Sequence, residues 1–211
     1  MGETLGKQYS ALFHELTALH LYWKEFLELF ATNDKRIERL NKSASGFFQM
    51  LQEQQFETNM LHLARLTDAP ETGGKTNLTV CNLPNLVTDE KLKEQLSRHV
   101  AEIREKTTFC RDWRNRRFAH HDLKIALQDG EAKPLPAATK EHFNEALQAL
   151  SDLMNEIERH YFKGGCSFAD ILPHNGAATL LFILGFGVRE RERVQERIAN
   201  KDFQLDLPES V

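Results

Sequence analysis

Residues 5–30 read LGKQYSALFHELTALHLYWKEFLELF, and the apolar positions in that stretch decide the class of fold. Leu5, Tyr9, Leu12, Leu16, Leu19, Trp23, Phe26 and Phe30 recur at alternating steps of four and three. Such steps stack one side chain above the next on a single face of a 3.6-residue helix. Phe13, Leu27 and Leu29 widen the stripe, as expected for a helix with neighbours on more than one side.

The same period continues outward. Thr32, Asn33 and Asp34 supply turn and cap chemistry, and a second helix is expected from about residue 35 to 66 through Ile37, Leu40, Ala44, Phe47, Leu51 and Leu61. Gly46 is its weak point. Residues 68–75, with Pro70, Gly73 and Gly74, read as a loop, and residues 77–87 as a short helical connector around Pro84. From Asp89 a third stripe runs through Leu92, Leu96, Val100 and Ile103, then reaches Thr107, Cys110 and Arg114. A stripe that turns from aliphatic to arginine marks the place where a core face becomes a polar one. After a second loop at 128–136, Phe143, Leu147, Leu150, Met154, Ile157 and Tyr161 form another seam. The apolar run 180–184 leads into Arg189-Glu190-Arg191-Glu192-Arg193. Trp23 and most of the 14 Phe are assigned to the core. The expected architecture is all-α, an up-down bundle of four to five long helices. It is read as one domain over 1–211, with 189–211 a charged helical tail and a disordered C-terminus.

Composition agrees with helix. The 211 residues hold 29 Leu against 13 Val plus Ile, and only 11 Gly and 6 Pro. No stretch approaches the roughly 20 apolar residues of a membrane span. The first residues, with Glu3 and Lys7, lack a signal-peptide pattern. Cys81, Cys110 and Cys166 are odd in number and far apart, which fits neither a disulfide framework nor a paired-cysteine metal clamp. A cytoplasmic protein with reduced thiols and no membrane contact is expected. A net charge of −4 confines any polyanion contact to a local patch.

That patch is 111–122, Arg-Asp-Trp-Arg-Asn-Arg-Arg-Phe-Ala-His-His-Asp. Four arginines stand against one aspartate within 111–117, followed by His120 and His121, whose ordinary pKa suits proton transfer near neutrality. Cations beside an imidazole are what phosphodiester cleavage needs without a metal: the cations stabilise charge on the phosphate and the imidazole moves the proton. The bland reading is a solvated helix face, since Arg116 and His120, like Arg117 and His121, are four apart. Arg114 and His120 lie roughly 120° apart around a straight helix, so their convergence needs a bend near Phe118 or a second copy of the cleft.

Arg114-Asn115, then Ala119-His120, then Asp122 resembles the Arg-(Asn/Asp)-x3-Ala-His-x-Asp form of the signature of HEPN proteins, in the flavour of the abortive-infection AbiU-like subgroup. The order of helices is also similar. The resemblance implies a helical-bundle, metal-independent endoribonuclease of a phage-defence or toxin-type system. Such an enzyme acts as a homodimer on RNA by 2′-OH transesterification, with no cofactor. An antitoxin or defence partner protein is a further expectation. Carried over, the catalytic set is Arg114, Asn115, His120 and Asp122. His120 moves protons, Arg114 holds the scissile phosphate, Asn115 hydrogen-bonds phosphate or positions His120, and Asp122 orients the imidazole. Arg111, Trp113, Arg116, Arg117 and His121 are the expected RNA contacts. Arg116/His121 and Arg114/His121 also satisfy the Arg…His spacing, but only Arg114/His120 puts Asn115 and Asp122 in family places. A catalytically silent dimer that binds RNA, a nucleotide or a protein partner is the alternative.

Other signals are weaker. Gly73-Gly74-Lys75-Thr76 lacks the first glycine and the preceding strand of a phosphate-binding loop. His14-Glu15 with His20 has the wrong spacing for a zinc helix, and Glu156/His160 is a single misspaced pair, so no metal site is expected.

Overall fold

The computed structural model of the chain describes residues 1–119, 123–127 and 133–201. Its long elements are α1 (Glu3–Phe30), α2 (Asp34–Leu66), α3 (Glu90–Lys106), α6 (Lys140–Phe162) and α7 (Ala177–Ala199). Between α3 and α6 come the short helices α4 (Thr108–Trp113) and α5 (Leu123–Ala126). The fold is all-α, as the periodicity requires. The strands found among the described residues are two-residue pieces, β1 (Glu71–Thr72) and β2 (Lys75–Thr76), paired antiparallel. They turn what reads as a plain loop into a small hairpin. Gly73 and Gly74 both hold positive φ, +59° and +75°, the conformation that a two-residue hairpin turn demands and that only glycine adopts freely.

Contacts divide the chain into two compact units. The first comprises Met1–Trp23 and Gln55–Leu172. Leu5, Leu12, Leu16 and Leu19 of α1 are buried there with Leu147, Leu150, Met154 and Ile157 of α6, and with Leu92, Leu96 and Ile103 of α3. Polar ties fix the direction of α1 against α6: Tyr9 to Glu158 at 2.6 Å, His20 to Ser151 at 3.0 Å, and Trp23 to Asn144 at 2.8 Å. The first series ascends while the second descends, so the helices are antiparallel. The Trp23 ring also stacks on Phe143 at 4.0 Å. Caps follow local chemistry: Asp89 accepts from the Leu92 amide at 2.8 Å, and Thr139 from that of His142 at 3.2 Å. The connector after the hairpin is a 3-10 helix, Val80–Leu86.

The second unit comprises Lys24–Gln54 and the segment from Pro173. Leu29, Leu40, Phe48, Ala177 and Leu181 form its core. Helix α2 is interrupted here, at Ala44 (φ −159°, ψ 76°) rather than at Gly46. The Ser43 hydroxyl donates back to the Arg39 carbonyl at 2.8 Å, a local bond that competes with the helical ladder just before the break. Of the expected charged helical tail and disordered C-terminus over 189–211, the segment from residue 189 is helical to Ala199, and residues 202–211 lie outside the described residues. Not all Phe are core: Phe47, Phe162, Phe182 and Phe186 are more than half exposed. Among the described residues, no helix is long and apolar enough to cross a membrane.

Candidate functional site

The basic segment begins where α3 stops. Thr107, fully buried, leaves helical geometry (φ −103°, ψ 11°) and donates its hydroxyl to the Ile103 carbonyl at 2.7 Å. Helix α4 carries Phe109 and Cys110 inward, and its backbone then widens into a π-helical turn over Arg114–Phe118. The Ala119 amide donates to the Arg114 carbonyl at 2.7 Å, the i to i+5 bond of that turn. The helix therefore changes its pitch at Arg114, within the motif. His120, His121 and Asp122 lie outside the described residues.

Each described member of the motif has a definite environment. Arg114 sends Nη1 to both carboxylate oxygens of Asp68, at 2.5 and 2.6 Å, and Nε to Asn115 Oδ1 at 3.1 Å. Both side chains of that ion pair are about a quarter exposed, 25% and 24%. Among the described residues Nη2 has no hydrogen bond, so the guanidinium is oriented through Nε and Nη1. Arg111 folds back onto its own helix, donating to Thr107 Oγ1 at 2.8 Å and to the Arg104 carbonyl. Trp113 donates Nε1 to the Pro136 carbonyl at 2.9 Å, and its ring packs edge-on against Phe56 at 5.4 Å and beside Phe118 at 5.7 Å. Its ring is thus held by packing contacts within the protein. Arg116 reaches the carbonyls of Lys133 and Pro134, and Asn115 and Arg117 are exposed. The arrangement gathers Arg114 and Asn115 at one polar point and directs Arg111, Trp113 and Arg116 to the protein itself.

Asp68 is the residue that sequence reasoning missed. It lies in the segment between α2 and the hairpin, 46 positions from its partner, and no local spacing links the two. Its backbone is well anchored. The buried Thr79 hydroxyl donates to the Leu66 and Asp68 carbonyls, at 3.0 and 2.8 Å. Beside it, a cleft of about 270 Å³ is lined by Glu15, His62, Arg65, Leu66, Asp68, Asn77 and Leu78. Burial pushes the His62 imidazole below its ordinary pKa and the Arg65 charge adds to this, while Glu15 opposes both. Burial also pushes the Cys110 thiol up to about 12 despite Arg111 and Arg114 nearby, which makes it an inert core group rather than a nucleophile. No three His, Cys, Asp or Glu side chains among the described residues converge to hold a metal ion.

A helical bundle with a buried stripe ending in Arg-Asn defines the class of protein, and comparison with known families agrees with it. The family model described as AbiU2, a HEPN family, matches residues 2–180. The chain belongs to this family of abortive-infection-associated HEPN proteins. No curated protein and no solved structure gives a match.

Proposed function

We propose that the protein is a metal-independent endoribonuclease of a phage-defence or toxin-type system. The observation that carries this reading is Arg114, oriented by Asp68 and Asn115, six residues before His120 in a chain of the AbiU2 family. In the reaction, His120 takes the proton of a ribose 2′-OH and O2′ attacks the adjacent phosphorus. The bond from phosphorus to the 5′-oxygen breaks as that oxygen receives a proton, leaving a 2′,3′-cyclic phosphate. Arg114 stabilises the charge that builds on the phosphoryl oxygens, and Asp122 orients the imidazole. The protein works as a homodimer, so that one protomer's Arg114 and its partner's imidazole meet at one cleft. Its substrate is RNA, its place is the cytoplasm, and an antitoxin or defence partner restrains it.

Purified protein incubated with RNA in EDTA is expected to yield cyclic-phosphate ends, and His120→Ala to abolish them with the helical circular dichroism unchanged. Cleavage that survives the substitution, or that needs a divalent ion, overturns the proposal. One observation favours a catalytically silent RNA-binding dimer instead: Asp68 neutralises Arg114, and Arg111 and Arg116 bond to carbonyls of the protein. In that case RNA binds, weakens with added salt, and is never cut.

A further inference from the structure

The turn that closes α2 carries a second arginine that the chemistry above does not use. Arg65 stands in the last turn of that helix and is exposed. The Asp68 amide donates to the Arg65 carbonyl at 3.4 Å, and the Thr79 hydroxyl holds the Asp68 carbonyl at 2.8 Å. Arg65 and Asp68 therefore share one anchored piece of backbone, and both line the cleft of about 270 Å³. Asp68 in turn holds Arg114, which makes it the common neighbour of the two arginines. The two carboxylates of the cleft have partners of their own: Glu15 Oε2 lies 2.8 Å from His62 Nε2, and Asp68 is paired with Arg114. Among the described residues no ion pair involves Arg65. Its charge is felt within the cleft all the same, since it helps to hold the His62 imidazole below its ordinary pKa. A cation in the last turn of a helix suits the helix dipole. Beside Arg114 it has a second use.

We propose that Arg65 grips the backbone phosphate next to the one that Arg114 holds, so that a single RNA strand runs along the cleft beside Asp68. This rests on the RNA reading of the Arg114 site. A strand with one phosphate on Arg114 brings its neighbouring phosphates onto the adjoining surface, and each carries a full negative charge. A guanidinium presents its donors as a planar fork that matches phosphate oxygens. Contacts of this kind set the register of the strand without reading its bases. Arg65 thus adds affinity for any sequence and no base preference.

The test measures binding of a single-stranded 2′-O-methyl RNA of mixed sequence, which has no free 2′-OH to attack its own phosphates, over a range of about 50 to 200 mM salt. Arg65→Ala is expected to weaken binding about tenfold at the low end of that range. It is also expected to lower the slope of log affinity against log salt by about 0.7, the share of one phosphate contact on a single strand. Arg65→Lys keeps the charge and is expected to restore the slope. Arg98→Ala removes an exposed arginine of α3 that lines a different groove, with Gln95, His99 and Glu102, and is expected to change neither quantity. Should Arg65→Ala fail to fold, Arg65→Gln serves in its place with the same expectations. A slope unchanged by the loss of Arg65, an equal effect from Arg98→Ala, or no binding by the wild type overturns the proposal. The two readings fail separately. Binding that depends on Arg65 with unmodified RNA uncut in EDTA keeps the contact and removes the nuclease, whereas cleavage in EDTA with binding indifferent to Arg65 does the reverse.

Discussion

At the scale of single residues, Asp68 and His62 carry the sharpest expectations. Asp68 fixes Arg114 by two short contacts, but the pair is only three-quarters buried and water screens it. Its worth to folding is therefore small, within about 1 kcal/mol. Its worth to positioning is larger, because a guanidinium displaced by about 1 Å can cost up to about a hundredfold in rate. Asp68→Asn is expected to slow single-turnover RNA cleavage at least about tenfold while the urea midpoint barely moves; an unchanged rate shows that Arg114 needs no such brace. His62 gives a pH signature. Its folded-state pKa lies below the ordinary 6.5, chiefly from burial, with Arg65 lowering it further and Glu15 raising it. Below pH 6.5 the unfolded chain therefore binds a proton that the folded chain does not. Stability from this site is complete above that value and is lost as pH falls through the folded-state value. His62→Gln is expected to flatten that part of the stability profile in urea titrations between pH 7 and 5. A wild-type curve level over the same range contradicts the assignment.

At the scale of elements, the helices follow from local rules and their interruptions follow from contacts. Asn33, Asp89 and Thr139 are cap residues in ordinary places, and each accepts from an amide three residues on. The start of α7 is different. No side chain of its own caps it. Glu25 of α1 instead accepts from the Ala177 amide at 2.6 Å, and a Cβ on Gly176 would lie 2.2 Å from the same carboxylate. Glycine stands there because the carboxylate occupies the space. Gly176→Ala is expected to push Glu25 away from the helix start and to destabilise by roughly 0.5–2 kcal/mol, the usual value of a lost cap. Urea unfolding measures it, and a variant as stable as the wild type shows that the carboxylate contributes nothing there. The break in α2 belongs to the same class. Gly46 reads as the weak point by propensity, but the backbone leaves the helix at Ala44, beside the Ser43 hydroxyl bonded to Arg39. The π-helical turn at Arg114–Phe118 likewise has no signature in the residue types it contains.

At the scale of the whole molecule, the dimer proposed above has a direct consequence. If phosphate-holding and proton-transferring groups meet across a two-fold axis, Arg114→Ala and His120→Ala proteins, each inactive alone, regain cleavage when mixed and allowed to exchange protomers. About half of the protomers are then in mixed dimers, each with one intact site, so roughly a quarter of the wild-type site content is expected by random pairing of closed dimers. A mixture as inactive as its parts, with exchange demonstrated by labelled chains, places both groups of a site on one protomer. The all-α class, the positions of the long helices and the Arg-Asn to His signature are legible along the chain. A 3.6-residue period and a fixed motif spacing are local properties that need no knowledge of partners. Glu25 over α7, Glu15 before His62 and Asp68 on Arg114 are not local, since each pairs residues dozens of positions apart. Only packing of the helices brings such pairs within hydrogen-bond range, and with them it decides how Arg114 is held and which clefts stand open beside it.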